Sequence, residues 1–346
     1  MKPYEELTRL GKLRRMRDIA QAALARYGLD SARFVLARYS GNVLYRVYSD
    51  EHGRDARADG LFEPDQYLLR IHWLGYRDQS AVELELEWLS AMREGSDLPV
   101  PEPVRTPEGS LLVRVSSPGV PEPRYCSLLR WVRGRRLGDR AVAKHYSAQG
   151  RFMAKMHEFS QTWTMPEATL PRTYDWNGLL NEIPALCLPV DDVWSLLPES
   201  YSGPFESVAR QVGQAMETLG VSASAFGLIH ADLGVDANLL FWRGRPRAID
   251  FDELGLGYWV YDLAVALEHC REQKDFLGYR GALLDSYCGV RTLPDGQLDY
   301  LDLFMAALDV HIGLWANAVA CIHPERTSVR RRAERCLRLA EIYLGD

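Results

Sequence analysis

Two short apolar segments of the sequence each end in an aspartate, and an asparagine lies between them. Asp232 follows Gly-Leu-Ile and a histidine, Asn238 precedes Leu-Leu-Phe, and Asp250 follows Ala-Ile. A positioned carboxylate can accept the proton of an attacking hydroxyl group, and carboxylate and amide oxygens suit hard cations such as Mg²⁺. Phosphoryl transfer needs both functions. The three residues therefore predict a phosphotransferase site.

A tight turn separates the asparagine from the second aspartate. The segment Trp-Arg-Gly-Arg-Pro at 242–246 lies between two short apolar runs, which is typical of a β-hairpin. In such a hairpin, Asn238 and Asp250 lie near each other at the open end, and Asp232 lies on the loop that precedes it. The pattern thus gathers two oxygen ligands and a separate base.

The first part of the chain is rich in strands. Residues 5–27 have the apolar spacing of an amphipathic helix, and a polar stretch at 50–60 predicts an exposed loop. Strands are expected at 33–49 (two, joined by the turn Ser40-Gly41-Asn42), 66–73, 110–116 and 124–132, with a helix at 80–92. Together they predict a mostly antiparallel sheet of about five strands.

After Val132 the apolar spacing becomes helical, over 141–160, 205–219, 260–290 and 297–345. The predicted fold class is therefore α+β. We expect two domains: an N-terminal nucleotide-binding lobe at 1–130, which begins with the helix 5–27, and a larger helical C-terminal lobe at 131–346. A cleft between such lobes is a common ligand site.

The motifs resemble those of a known family. The segments HADLGVDANLLF (230–241) and AIDFDELGLGYWVYDLA (248–264) look like the aminoglycoside phosphotransferase and choline kinase family, the small-molecule branch of the protein-kinase-like fold. The resemblance runs from about residue 30 to 290. It also includes the segments LPVPEPV (98–104), CSLLRWVRGRR (126–136) and GRFMAKMHEFS (150–160).

The resemblance implies ATP-dependent transfer of the γ-phosphate to a hydroxyl group of a small molecule, with Mg²⁺. Asp232 would be the catalytic base, and Asn238 and Asp250 would bind the metal. His230 and Asp262 would support the catalytic loop. The nucleotide would contact Gly41, Arg70, Glu85 and the main chain of Arg130, Trp131 and Val132.

The sequence departs from the family pattern in three places. Asn238 follows Asp232 by six positions where the family has five, so either the loop bulges or Asp236 takes part in metal binding. Arg70 stands where a lysine usually grips the phosphates; it keeps the charge and adds a fork that suits phosphate. Its helix partner would be Glu85, with Glu83 as the alternative. Gly41 is the single glycine of a turn that has several glycines in protein kinases.

The overall composition excludes some function classes and leaves others open. A net charge of −6 argues against a dedicated nucleic-acid binder, and no apolar run is long enough to predict a membrane span. Without a secretory leader, a cytoplasmic location is expected. A protein Ser/Thr kinase of the stress-response type and a pseudokinase remain alternatives, and the oligomeric state stays open. Four acidic residues suggest a cationic acceptor: Glu268, Asp299, Asp302 and Asp309.

Overall fold

A computed structural model of the chain describes residues 2–49, 60–166, 169, 171–182, 190–322 and 326–345, so the predicted loop at 50–60 lies almost entirely outside the described residues. The helices are α1 (Arg9–Arg26), α2 (Gln79–Gly95), α3 (Ala143–Thr162), α4 (Trp176–Leu180), α5 (Val190–Ser195), α6 (Glu199–Leu219), α7 (Trp259–Leu267), α8 (Phe276–Cys288), α9 (Leu301–Ile322) and α10 (Thr327–Gly345). The strands are β1 (Arg33–Ser40), β2 (Asn42–Tyr48), β3 (Phe62–Ile71), β4 (Leu112–Val115), β5 (Arg124–Val132), β6 (Thr173–Tyr174), β7 (Phe226–Ile229), β8 (Leu239–Trp242), β9 (Arg245–Ala248) and β10 (Gly255–Tyr258).

The first five strands form one antiparallel sheet in the order β1-β2-β3-β5-β4. This confirms the predicted sheet and the α+β class. Strand β3 begins at Phe62, earlier than predicted, and its register against β5 shifts between Phe62 and Tyr67. Among the extra residues, Asp65 has a left-handed φ of 52°, which interrupts the alternation of side chains between the two faces, so the sequence pattern started the strand too late.

Helix α1 begins at Arg9 and not at residue 5, because Thr8 caps it: the Thr8 hydroxyl accepts a hydrogen bond from the Gly11 amide over 3.2 Å. The apolar side of α1 packs on one face of the sheet, where Ile19 and Leu24 join Leu69 and Leu128 in a buried cluster. Burying each such side chain contributes about 1.5–3 kcal/mol. Because strand side chains alternate between faces, Arg70 points to the opposite face.

The chain divides into two compact units. Unit 1 comprises Met1–Arg135, Pro166–Thr169 and Arg247–Ile249, and unit 2 comprises Arg136–Met165, Leu170–Pro246 and Asp250–Asp346. Each unit is described by itself below.

Unit 2 contains a small three-stranded sheet that the sequence did not predict. Strand β10 pairs with β7 antiparallel and with β6 parallel. These strands have two to four residues, and β7 and β10 contain glycines at close approaches, so no apolar alternation marks them. A Cβ at Gly227 would lie 2.2 Å from the Trp259 ring. The sheet places the end of β7 immediately before the predicted catalytic loop.

Helix α9 lies within a long apolar helical stretch of the described chain. The stretch Gln297–Cys321 is long and apolar enough to cross a membrane, but 83% of its most apolar window is buried inside the protein. That burial is the pattern of a core helix.

Candidate active site

The loop after β7 brings Asn238 onto Asp232. The Asn238 side-chain amide donates to Asp232 Oδ2 over 2.6 Å and to the Asp232 carbonyl oxygen over 2.9 Å. A tight turn, in which the Asn238 N–H donates to the Gly234 carbonyl oxygen over 3.1 Å, absorbs the extra residue. Of the two options left by the spacing, the loop therefore bulges, and Asn238 still reaches the carboxylate.

The hairpin of β8 and β9 supplies the second aspartate. Asn238 immediately precedes β8 and Asp250 lies two residues after β9, so the hairpin carries both to its open end. Asp250 has a left-handed φ of 65°, and Ala231, directly before Asp232, has a φ of 59°. Such conformations cost on the order of 1–3 kcal/mol each and cluster at functional sites.

Asp262, on α7, holds the strained loop in place. Its Oδ1 accepts a hydrogen bond from the Ala231 N–H over 2.7 Å, and its Oδ2 accepts one from His157 Nε2 over 2.9 Å. Asp262 and His157 are fully buried. Because a buried carboxylate with these bonds has a fixed orientation, Asp262 fixes the backbone one residue before Asp232.

His157, on α3, extends this network. Its Nδ1 lies 2.8 Å from the Tyr287 hydroxyl, which accepts a hydrogen bond from Arg291 Nη1 over 2.7 Å. The consistent tautomer carries the proton on Nε2. Burial lowers the pKa of His157, against the opposing effect of Asp262, which favours the neutral ring. The sequence interpretation of His157 as helix packing alone was incomplete, because its partners lie 105 and 130 positions away.

His230 lies at the start of the loop. Its Nδ1 accepts a hydrogen bond from the Asp232 N–H over 3.3 Å, and its ring centroid lies 4.3 Å from that of Phe251. The structure therefore places His230 against the backbone of Asp232 and the residue after Asp250, where it supports both.

The environment of Asp232 disfavours its charged form. Burial is the main cause that raises its pKa to about 6, and the nearby charge of Asp250 acts in the same direction. His230, His269 and Asn238 act against this shift. A cation placed beside these two carboxylates would relieve their repulsion.

Asn238 and Asp250 suit a divalent cation with phosphate ligands. Because the Asn238 amide nitrogen bonds Asp232, its oxygen is the atom left for a metal. In the described part of the chain, no group of three or more His, Cys, Asp and Glu side chains could hold a metal ion. Mg²⁺ is commonly bound by one or two carboxylates together with substrate phosphates, and the donor set fits that pattern.

In unit 1, Arg70 pairs with Glu85 and not with Glu83. Arg70 Nη1 lies 2.9 Å from Glu85 Oε1, and the two side chains are 3% and 0% exposed. Arg77 binds the other oxygen of Glu85. Glu83 accepts a hydrogen bond from Gln79 instead. The structure therefore places Arg70 beside Glu85, the helix partner preferred in the sequence analysis.

The other predicted nucleotide contacts also lie in unit 1. Gly41, with a φ of 90°, connects β1 and β2, and a Cβ there would lie 2.9 Å from the Trp73 ring. Residues Arg130, Trp131 and Val132 end β5. The Arg130 N–H already donates to the Glu102 carbonyl oxygen over 2.9 Å, so this N–H is not available to a nucleotide.

One residue near the loop, His269, escaped the sequence analysis, which considered its neighbour Asp236 only as an alternative metal ligand. Oδ1 of Asp236 is buried and accepts no hydrogen bond from the described residues. The pKa of His269 is raised mainly by its hydrogen bond to Glu268, and the nearby charge of Asp236 acts in the same direction. A Cβ at Gly234 would lie 3.2 Å from both side chains. The extra loop residue was the only signal in the sequence for Asp236.

Several known proteins are similar to this chain over most of its length. An uncharacterised protein of Deinococcus radiodurans is 27% identical over 302 residues, which are 85% of this chain and 80% of that protein. The solved structure of a microcompartment-associated aminopropanol kinase has a TM-score of 0.77 and 27% identity, and the match covers 95% of this chain and 98% of that one.

An amicoumacin kinase, hAmiN, solved with AMP-PNP and Ca²⁺, has a TM-score of 0.73 and 16% identity over 93% of this chain and 92% of that one, which shows a shared fold. The sequence profile of the phosphotransferase enzyme family (APH) matches residues 36–297, more than half of the chain. The chain therefore belongs to that family of small-molecule kinases with the protein-kinase-like fold.

Proposed function

We propose that this kinase transfers the γ-phosphate of ATP to a hydroxyl group of a small amino alcohol or a related amine-bearing compound, in the cytoplasm. The observation that carries the proposal is the contact of Asn238 with the carboxylate of Asp232 at the end of β7. That contact survives an extra loop residue, and Asp262 fixes the backbone beside it. A structure that preserves this geometry in spite of an insertion favours a working kinase over a pseudokinase.

Asp232 acts as the base. The acceptor oxygen forms a bond to the γ-phosphorus, the bond from that phosphorus to the β-phosphate oxygen breaks, and ADP leaves. The hydroxyl proton passes to the Asp232 carboxylate. Asn238 and Asp250 hold Mg²⁺, which neutralises charge on the phosphates when it is bound.

The residues of unit 1 bind the nucleotide. The guanidinium group of Arg70, oriented by Glu85, contacts the α- and β-phosphates, where its fork offers two parallel hydrogen bonds. The turn at Gly41 allows main-chain N–H groups to approach the phosphates. The adenine edge pairs with the main chain at the end of β5, in the segment from Arg130 through Trp131 to Val132.

The acceptor proposal rests on Asp236. Three of the four acidic residues suggested by the sequence are a poor ammonium site, because Glu268 pairs with Arg335, Asp309 with Arg271 and Asp302 with Arg280. Oδ1 of Asp236 is buried without such a partner among the described residues. The aminopropanol kinase, at 27% identity over nearly the whole chain, acts on an amino alcohol by its name.

A protein Ser/Thr kinase is disfavoured by the segment after Asp250. Only residues 251–261 separate Asp250 from Asp262, and they contain strand β10 and the beginning of α7. A protein kinase needs an activation segment between these two positions to bind its polypeptide substrate. Only the four residues 251–254 lie outside these two elements, which is too short a segment for that purpose.

The experiment is a screen of amino alcohols, aminoglycosides and hydroxyl compounds without an amine for stimulated ADP release. We expect stimulation by amino alcohols in the wild type and none in Asp232→Ala. With the best acceptor, Asp236→Asn should raise the acceptor KM by roughly tenfold, since one charge-assisted bond is lost, and leave the KM for ATP unchanged. Equal stimulation by amine-free acceptors would contradict the acceptor class.

A further inference from the structure

Unit 1 contains a cavity on the face of the sheet that carries α1. Its volume is about 620 Å³, within the range of small-molecule pockets. It lies at the end of the sheet near the Gly41 turn, and Val43 and Ile71 form part of its floor. Val43 and Ile71 face the α1 core and Arg70 points to the other face, so the cavity lies apart from Arg70, while Gly41 of the β1–β2 turn is among its lining residues.

The charges that line the cavity are all positive. Arg9 and Lys12 project from α1, and Arg124 begins β5. No aspartate or glutamate is among the lining residues. The whole chain has a net charge of −6, so this is a local reversal of sign. Three cations around one cavity repel each other, and an anion between them relieves that repulsion.

Arg124 provides an independent observation. Arg124 is only 8% exposed. Its described hydrogen-bond partners are the Glu122 carbonyl oxygen, at 2.7 Å, and the Tyr4 hydroxyl, both uncharged. Buried charges in proteins are usually paired with an opposite charge. A buried guanidinium group whose described partners are neutral, at the wall of a cavity, indicates a place for an anion.

Aromatic rings form the remaining walls and fix the cations. Arg9 donates to the Tyr39 carbonyl oxygen over 3.0 Å and lies 5.2 Å from the centre of the Tyr39 ring. The Lys12 ammonium group lies 5.5 Å from the centre of the Tyr4 ring. Trp73 is 44% exposed and stacks on Tyr76 at 5.6 Å. A flat apolar group would find contact area on these rings.

We propose that this cavity is a second ligand site, which binds a small organic anion with a flat apolar body, such as an aryl phosphate or an aryl carboxylate. The anionic group meets Arg124, Arg9 and Lys12, and the ring lies against Trp73. The Trp73 ring also contacts the Gly41 turn, and the main-chain N–H of Trp73 donates to Asn42 Oδ1 over 2.8 Å. An occupant of the cavity therefore touches the residues that hold the β1–β2 turn.

The test is calorimetric titration of the full chain with phenyl phosphate, in the presence of saturating AMP-PNP and Mg²⁺ to occupy the nucleotide site. Three further compounds serve as probes. Phenol lacks the charge, inorganic phosphate lacks the ring, and benzylamine carries the opposite charge. We expect phenyl phosphate to bind most tightly and benzylamine not to bind. Equal binding of phenol and phenyl phosphate would overturn the proposal.

Variants locate the site without reference to kinase activity. Arg9→Gln and Lys12→Gln should each weaken phenyl phosphate binding by roughly tenfold, because each removes one charge-assisted contact. Arg14→Gln is the matched control: Arg14 is an exposed arginine of the same helix outside the cavity lining, and its removal should change the Kd by less than about twofold. Equal effects of the three variants would overturn the proposal.

Discussion

In unit 1, the carboxylate of Glu85 lies between the guanidinium groups of Arg70 and Arg77; the side chains of Glu85 and Arg70 are buried, and that of Arg77 is 9% exposed. In unit 2, Asp232 has the amide of Asn238 and two histidines as neighbours, and the negative charge of Asp250 disfavours the charged form of Asp232. The first arrangement contains its own counter-charges. The second leaves the pKa of an aspartate at about 6, well above its usual value. A buried charge with its partner positions a side chain, whereas carboxylates that repel each other attract a cation or a proton.

The largest expected effect concerns the carboxylate of Asp232. Asp232→Asn keeps the shape of the side chain and an oxygen for the Asn238 amide, but removes the base. We expect kcat to fall by roughly a thousandfold, within the range for general bases, with little change in thermal melting. Steady-state rates of ADP release measure it. A kcat within tenfold of the wild type would place the base elsewhere.

The next effect concerns the charges of unit 1. Glu85→Gln leaves Arg70 and Arg77 buried without their carboxylate, which should cost about 3 kcal/mol of unfolding free energy. Glu83→Gln is the control on the same helix and should change this free energy by less than about 0.5 kcal/mol. Urea unfolding compares the two. Similar losses in both variants would mean that the ion pair contributes no more than a surface contact.

A smaller effect on the free energy of unfolding is expected from His311, a histidine of unit 2 whose neutral form is favoured. The Nδ1–H of His311 donates to the Leu179 carbonyl oxygen, and burial is the main cause that lowers its pKa to about 4. The unfolded chain takes up this proton near pH 6.5, whereas the folded chain does so near pH 4. Because the unfolded state binds more protons in this window, stability falls as the pH falls through it, by about 1–2 kcal/mol.

Urea unfolding at pH 7 and pH 5 measures this effect. The wild type should lose more unfolding free energy between the two pH values than His311→Gln, whose side chain can keep a bond to Leu179. Parallel losses in the two proteins would assign the acid sensitivity to other groups.

Local patterns made much of unit 1 predictable. The turn at Gly41 joins strands that follow each other directly, and Arg70 and Glu85 lie 15 positions apart, on a strand and the next helix. The family resemblance therefore needed only the register of one strand and one helix to name Arg70 and Glu85 as partners, with Glu83 as the alternative. The family motifs likewise located Asp232, Asn238 and Asp250 in the chain, though their roles remain proposals.

The parts of unit 2 that escaped prediction depend on distant contacts. The bond from His157 to Asp262 joins α3 to α7, and the pairing of β6 with β10 joins segments about 80 positions apart. No apolar periodicity carries information about such partners. The direction of the Asp236 side chain depends on the geometry of the turn after Gly234, which residue spacing alone does not give.

The most direct test of the roles proposed for Asp232 and Asp250 is a calorimetric measurement of AMP-PNP binding, with and without Mg²⁺, to the wild type, Asp250→Asn and Asp232→Asn. If Asp250 binds the cation and Asp232 is the base, Asp250→Asn loses at least tenfold of the Mg²⁺-dependent affinity, while Asp232→Asn keeps it. Mg²⁺-dependent binding by Asp250→Asn at wild-type affinity, or an equal loss in both variants, would contradict the division of roles between these two aspartates.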